Sequence, residues 1–306
     1  MNTNNVIVGG EQFVYTDRSM TIPRATVIEM TRTLERWSRT SPFEPTYVMR
    51  NYGVPCLIAR FDGVMSDDGQ FQTYEIQGGC GWIGYAGIAN DAFRNVRDSL
   101  VKEAWPSFKL LMPPAYHNDD ELWLERISIE EALRDTEPLM IRRWLFRELN
   151  AETRASLIGR SVKPMFYQND KRYGVEFGWW KRIVWENGKE TLLPWNEAFV
   201  LKPLKSQGSA NVMIWNPFDR KGRATRTQII STLQRHTMMY LQRFIPPMST
   251  TIANREYNMM YRPFFGYDPR IKKWVPMHGV WTARPYPNLR LHGSSDAISG
   301  PLLIGT

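Results

Sequence analysis

Two hydrophobic periods alternate along this chain. Residues 56–80, CLIARFDGVMSDDGQFQTYEIQGGC, hold two apolar-rich runs on either side of Asp68-Gly69, and Asp-Gly is a favoured two-residue hairpin turn. A two-residue loop pairs Asp67 with Gln70, which sets Asp62 opposite Glu75 and Arg60 opposite Gln77. Residues two apart in a strand share a face. Arg60, Asp62, Glu75 and Gln77 therefore form one polar quartet, with Phe61, Tyr74 and Ile76 on the other, core-directed face. Ahead of the hairpin, residues 1–20 read as an extended lead-in. Val27, Met30, Leu34 and Trp37 then recur at helical spacing, with Thr21 as a cap and Pro23 in the first turn. SPFEP at 41–45 ends that helix.

Beyond the hairpin, GGCGWIGYAG matches no dinucleotide or P-loop spacing and is expected to make tight turns into a helix. Asn90 caps a second helix carrying Phe93, Val96 and Leu100. FKLLM at 108–112 and ELWLERI at 121–127 read as strands around a PPAYHNDD loop. Ser128 and Glu131 have the spacing of a capping box, Pro138 interrupts the helix they open, and Arg142 to Glu152 is helix-forming. The second half reads differently. SVKPMF at 161–166 and AFVLKPL at 198–204 are short apolar runs holding Lys163 and Lys202. A polar SQGSA loop follows the second run and leads into NVMIW. A helix, TQIISTLQRH, precedes the run MMYLQRFIPP at 238–247, which Pro246-Pro247 stops. Arg243 to Ile245 then form an extended linker with free backbone groups. The remaining C-terminal runs read as an antiparallel meander with turns at Asp268-Pro269 and near Gly279.

The 306 residues carry a formal charge of +8. That excess suits phosphorylated ligands as well as nucleic acid, and the basic residues are spread along the chain rather than clustered. No apolar run approaches the roughly 20 residues that span a bilayer, and the N-terminus lacks the basic and apolar regions of a secretory signal. Two cysteines, Cys56 and Cys80, make neither a disulfide scaffold nor a zinc cluster. A reduced, cytoplasmic protein is expected.

Two carboxylates directly across a strand pair repel each other. A divalent cation between Asp62 and Glu75 turns that cost into a site, and oxygen donors of this kind suit Mg²⁺. A carboxylate pair is a weak signal, and the hairpin alone is better matched by a second reading: a solvated, mixed-charge face on which Arg60 neutralises both carboxylates. Lysine within an apolar strand costs free energy unless its amine reaches water or an anion. Lys202 beside a small-residue loop fits a phosphate clamp, and a strand-edge lysine reaching solvent as well. Arg262 and Arg284 each interrupt apolar strand material, as anion-facing or ordinary salt-bridge arginines do.

In order, the chain presents Arg-x-Asp, Glu-x-Gln, Lys, Lys-Pro-loop, Gln-hinge and Arg. This resembles the circularly permuted branch of the ATP-grasp ligases, and within it the glutathionylspermidine synthetase family. Arg60-Phe61-Asp62, Asp68-Gly69 and Glu75-Ile76-Gln77 match that family's metal hairpin, with Gln77 in place of Asn. Leu201-Lys202-Pro203 and Ser209-Ala210-Asn211-Val212 echo its phosphate strand and loop, with Ser in place of Gly. The Gln242 segment is similar to its adenine hinge. GGCGW departs from the family's Asp-Thr-Pro-containing exit, and the charged residues of the family's phosphate loop are missing.

The resemblance implies an α+β fold of antiparallel sheets with flanking helices in permuted order. Residues 1–158 would hold the metal hairpin and a substrate-side α/β region, and residues 159–306 the nucleotide-binding region. It implies an ATP- and Mg²⁺-dependent ligase that joins a small-molecule or peptide carboxylate to an amine through an acyl phosphate. Asp62, Glu75 and Gln77 would hold the metal. Under that metal reading, Asp62→Asn or Glu75→Gln is expected to abolish Mg²⁺-dependent ATP turnover, leave the fold intact and, by relieving the repulsion, raise stability slightly. Arg60, Arg262 and Arg284 would be catalytic. Lys163 and Lys202 would hold phosphates under a Ser206, Gly208, Ser209 lid, and Gln242, Arg243, Phe244 and Ile245 would hold adenine. The competing classes are a basic nucleic-acid-binding protein and an inactive ATP-grasp-like protein.

Overall fold

The computed structural model describes residues 3–8, 11–39, 47–66, 68–78, 83–111, 124–141, 143–162, 180–184, 193–203, 212–218, 224–235, 238–289, 291 and 296–305. The chain forms two units. The first comprises Met1–Gln168, Met260–Thr282 and Gly293–Thr306, and the second Asn169–Met259 and Ala283–His292. These compact units differ from a division at residue 158, because the C-terminal strands return to the N-terminal hairpin and complete its sheet.

The first unit opens with β1 (Thr3–Val8), β2 (Glu11–Thr16), β3 (Met20–Ile22), α1 (Arg24–Arg39) and α2 (Tyr47–Tyr52). The hairpin β4 (Ile58–Met65) and β5 (Phe71–Gly78) follows, then α3 (Ile83–Ala89) and α4 (Asp91–Glu103). Near the C-terminus lie β15 (Arg255–Asp268), β16 (Lys273–Pro285) and β17 (Ile298–Ile304). One sheet runs β1-β2-β17-β16-β15-β4-β5, with β3 also beside β17. β17 is parallel to β2 and β3, whereas β4 is antiparallel to both β5 and β15.

Both faces of the sheet's centre are covered. Val27, Met30, Leu34 and Trp37 are buried along one side of α1 as their spacing requires. Trp37 packs 6.4 Å from Trp274, whose indole N–H donates to Ser38 Oγ at 3.1 Å. On the opposite face Phe93 of α4 meets Phe264 edge-on at 5.0 Å. Asn90 caps α4 by accepting from the Phe93 N–H at 3.2 Å, and donates to the carbonyls of Gly279 and Leu302 at 2.7 and 3.1 Å. An antiparallel strand covered twice loses its polar alternation, and from Tyr257 to Asp268 every residue of β15 is buried.

Thr21 does not cap α1, because it pairs with Leu303 in the β3–β17 ladder. The turn at Asp268 forms, with Asp268 Oδ1 accepting from the Arg270 N–H at 2.9 Å. No turn forms near Gly279. β16 runs through it with His278 in the left-handed region (φ 65°), its Nδ1 accepting from the Ile304 N–H at 3.1 Å.

Between α4 and the end of the first unit lie β6 (Lys109–Leu111), β7 (Glu125–Ile127), α5 (Ile129–Arg134), β8 (Leu139–Ile141), α6 (Arg143–Glu148), α7 (Ala151–Ile158) and β9 (Ser161–Val162). The Ser128–Glu131 capping box is in place at α5. The expected single helix over 142–152 is two, because the Asn150 side chain accepts from the Thr153 N–H at 2.8 Å and starts α7. The four strands form a parallel sheet ordered β7-β6-β8-β9, not an antiparallel one. Leu111, Ile127, Leu139, Ile141, Leu145 and Leu157 form its core.

The second unit contains β10 (Trp180–Val184), β11 (Phe199–Pro203), β12 (Met213–Trp215), α8 (Arg226–Arg235), β13 (Met238–Arg243) and β14 (Met248–Ile252). Its antiparallel sheet runs β10-β13-β11-β12. Phe199, Leu201 and Met239 pack with Ile229 and Leu233 of α8. β14 pairs with Arg255–Met259, the start of β15. No helix among the described residues is long and apolar enough to cross a membrane.

Candidate functional site

In the β4–β5 hairpin Arg60 pairs with Gln77 and Asp62 with Glu75. The pairings nearer the turn are Met65 with Phe71, Val64 with Gln72 and Gly63 with Thr73, which leaves Tyr74 as an extra residue beside Asp62. That is a β-bulge. The connection at the tip is also one residue longer than Asp68-Gly69. The Ser66 N–H donates to Gln70 O at 2.8 Å and the Gly69 N–H to Ser66 O at 2.9 Å, with Gly69 at φ 79°. A turn closed by a left-handed glycine is the usual three-residue hairpin loop. Gly63 is required at the bulge, since a Cβ there would lie 2.3 Å from Gln72 O and 2.6 Å from the Phe71 ring.

The quartet occupies the α4 side of the sheet. Arg60 and Asp62 are each only 2% exposed, while Glu75 and Gln77 are half-buried. The solvated mixed-charge face is therefore excluded for the β4 half. The Arg60 fork grips Asp62 with Nε on Oδ1 at 2.7 Å and a terminal nitrogen on Oδ2 at 3.0 Å. The same terminal nitrogen donates to Gln77 Oε1 at 2.6 Å, and Gln77 Nε2 donates to Glu75 Oε1. The register fixes every one of these contacts, because each links neighbours or cross-strand partners on one face.

β15 adds two residues. Phe264 pairs with Arg60, and its ring lies 5.8 Å below the guanidinium carbon, a favourable cation–π placement. Arg262, fully buried, brings Nε within 3.9 Å of Asp62 Oδ1. Asp62 thus stands between two guanidiniums. The sequence flags Arg262 but gives no sign of Phe264's role, which depends on β15 pairing with β4 across some 200 residues. Burial raises the Tyr74 hydroxyl pKa well above its usual value, so the bulge residue stays neutral.

The donor chemistry fits Mg²⁺, with two carboxylates and one amide oxygen at adjacent positions on one face. Their present arrangement is that of a guanidinium site, however. Arg60 covers both Asp62 oxygens and Gln77 Oε1, and among the described residues no cluster of three or more His, Cys, Asp and Glu is gathered around a metal position.

The second unit brings together a different set. Lys202 pairs with Tyr240 and Gln242 with Val200, so Lys202, Tyr240 and Gln242 share one face, opposite the Leu201 and Met239 core. All three are buried. The expected free linker is corrected: Arg243 is exposed but pairs with Phe199, and the Phe244 N–H donates to Ala198 O at 3.2 Å. The ladder runs past Gln242 because Ala198 extends β11 by one partner. Phe244, Ile245 and Arg284 are half-exposed in the same unit. Lys163, Ser206, Gly208 and Ser209 lie outside the described residues.

No family model matches the sequence, and no curated protein matches it. Among solved structures the chain is similar to a glutathione synthetase-like effector from Globodera pallida in its apo form. The identity is 11% over 93% of this chain and 89% of that one, with a TM-score of 0.45. It is also similar to D-alanine–D-alanine ligase from Bacillus anthracis, at 11% identity over 55% of this chain and 68% of that one, with a TM-score of 0.29. Likenesses this distant assign nothing.

Proposed function

We propose that this chain is an ATP-dependent carboxylate–amine ligase of the ATP-grasp type, in circularly permuted order, forming an amide bond through an acyl phosphate. The observation that supports it most is the pairing of Arg60 with Gln77 and of Asp62 with Glu75 on a buried face, with Arg262 beside Asp62. Burying charges costs several kcal/mol each, and such groups gather where chemistry needs them.

In the overall reaction a substrate carboxylate oxygen bonds to the γ-phosphorus of ATP and ADP leaves. The amine nitrogen then bonds to the acyl carbon, phosphate leaves and the nitrogen loses a proton. Asp62, Glu75 and Gln77 would hold Mg²⁺, which neutralises phosphate charge and polarises the phosphoryl oxygens. Arg60 offers a planar fork to the transferring phosphoryl oxygens and then to the tetrahedral oxyanion. Arg262 and Arg284 bind the γ-phosphate or the substrate carboxylate. Lys202 and Lys163 bind the other phosphates under the Ser206, Gly208, Ser209 loop, and Gln242 to Ile245 lie along adenine. With the Phe244 N–H engaged by Ala198, adenine contacts fall to the Gln242 side chain and to Ile245. The sheet order β7-β6-β8-β9 reverses direction between β6 and β8, and open α/β sheets take ligands outside the carboxyl ends of strands at such a point. The acid or the amine belongs there.

The test is calorimetric ATP binding in Mg²⁺, followed by a screen of carboxylate and amine pairs for ADP release. On any hit, Arg60→Lys should keep ATP affinity and lose about 10²-fold in turnover, as for removal of one oriented donor. No ATP binding together with no ADP release refutes the ligase, and salt-sensitive nucleic-acid binding by the same sample would replace it.

A further inference from the structure

We infer that the quartet takes a divalent cation only together with an anion, because Arg60 already occupies the cation's place. This rests on the metal assignment made above and deepens it. One guanidinium engages three of the oxygens expected to hold the metal: Asp62 Oδ1 at 2.7 Å, Asp62 Oδ2 at 3.0 Å and Gln77 Oε1 at 2.6 Å. A cation cannot coordinate those oxygens until Arg60 withdraws.

Charge balance decides what makes it withdraw. Arg60 and Arg262 formally balance Asp62 and Glu75, and the two arginines and Asp62 are buried. A bare Mg²⁺ entering this face would add two positive charges beside two buried guanidiniums, where solvent screens poorly. It would also displace the Arg60 guanidinium from Asp62 and Gln77. A phosphoryl or polyphosphate anion removes both obstacles. It offers Arg60 a bidentate partner in exchange for Asp62, and its charge offsets that of the incoming cation. Cation and anion therefore each raise the affinity for the other, since coupling between two ligands is reciprocal. Phe264 beneath the guanidinium provides a face along which it can shift while keeping a favourable contact.

The test uses Mn²⁺ as the probe, with free Mn²⁺ read by electron paramagnetic resonance. Without nucleotide, Arg60→Gln should bind Mn²⁺ at least about tenfold more tightly than wild type, within the usual range of coupling between sites. Adding a non-hydrolysable ATP analogue should tighten Mn²⁺ binding to wild type and narrow the gap between the two proteins. Near-UV circular dichroism checks that the variant folds. If it does not, wild type itself carries the test through the ¹⁵Nε signal of Arg60, identified by its loss in Arg60→Lys. Mg²⁺ alone should leave that signal in place, and Mg²⁺ with the analogue should shift it. Equal Mn²⁺ affinity of the two proteins without nucleotide, or a signal moved by Mg²⁺ alone, overturns the exchange and leaves the ligase proposal standing. Failure of both proteins to bind Mn²⁺ under every condition overturns the exchange and the metal assignment together.

Discussion

Asp62→Asn separates the buried quartet from a surface one, and the outcome differs in sign. On a solvated face the substitution would relieve the repulsion between Asp62 and Glu75 and leave stability unchanged or slightly raised. In the structure Asp62 is 2% exposed and lies between the Arg60 fork, at 2.7 and 3.0 Å, and Arg262 Nε, at 3.9 Å. Unit charges about 4 Å apart interact by about 4 kcal/mol at an effective dielectric of about 20. Removing one partner of a buried pair costs about 3–5 kcal/mol, because the other charge stays behind uncompensated. Here two guanidiniums stay behind. Against a typical total of about 5–15 kcal/mol, Asp62→Asn should lower the urea midpoint steeply with an unchanged slope. Glu75→Gln is the control: Glu75 is half-buried and accepts from Gln77, so its loss should cost about 1 kcal/mol. Tryptophan fluorescence in urea gives both values. Coincident midpoints for the two variants, or an Asp62→Asn protein more stable than wild type, would refute the buried ion-pair argument.

Lys202→Met should weaken ATP binding by about 1.5–3 kcal/mol, the loss of a charged hydrogen bond; calorimetry showing equal affinity removes Lys202 from the nucleotide site. Gly63→Ala should cost about 1–3 kcal/mol, because its Cβ meets Gln72 O at 2.3 Å, and should depress Mg²⁺-dependent turnover by disturbing the bulge next to Asp62. An Asp135→Asn variant reports on the parallel sheet. The Glu137 N–H and the Lys109 ammonium lower the Asp135 carboxyl from 3.8 to about 2, so its stabilisation is present above the unfolded value and lost as pH falls toward 2. Wild type should exceed the variant in thermal midpoint at pH 5, and the difference should shrink steadily as the pH falls from about 4 through 2.

Local signals were legible and long-range ones were not. The helical spacing of Val27, Met30, Leu34 and Trp37 marked the buried side of α1, and the caps at Asn90 and Ser128 stand where side-chain chemistry put them. The parallel order of β6 to β9 left no trace, because strands of two or three residues are too short to show a period. Nothing local told β15 and β16 to leave the second half and join the first hairpin. Their runs are buried on both faces, and such runs announce a strand without naming its partner. The turn expected near Gly279 failed for a related reason. His278 supplies the left-handed conformation within a strand that continues, so glycine marked a local irregularity rather than an end.

The pairing within the quartet was legible for a subtler reason. A two-residue loop with an unbroken ladder sets Asp62 against Glu75, and so does the structure, but through two departures that cancel. The longer loop shifts the ladder by one residue, seen in the pairing of Met65 with Phe71, and the bulge at Tyr74 shifts it back. Without the bulge the longer loop would set Asp62 opposite Tyr74 and Arg60 opposite Ile76. A one-residue slip moves every side chain of a strand to the other face. Glu75 and Gln77 would then project toward Phe61, which packs edge-on against Phe71 and Phe265 at 6.3 and 5.5 Å. A carboxylate and an amide would enter an aromatic core without partners, at a cost of several kcal/mol. Buried Asp62 and Arg60 would keep each other but lose Gln77. A bulge at Tyr74 is the smaller cost, so polarity on the two faces, rather than the turn, sets the register of the quartet. Deleting one residue of the tip should accordingly be tolerated, because a three-residue loop then reaches the Asp62–Glu75 pairing in an unbroken ladder with no bulge. The tip deletion alone should keep the urea midpoint and Mn²⁺ binding with the ATP analogue, and so should deletion of a tip residue together with Tyr74, where a two-residue loop gives the same pairing. Loss of Mn²⁺ binding by the double deletion alone would show that the turn, not the face, holds the quartet together.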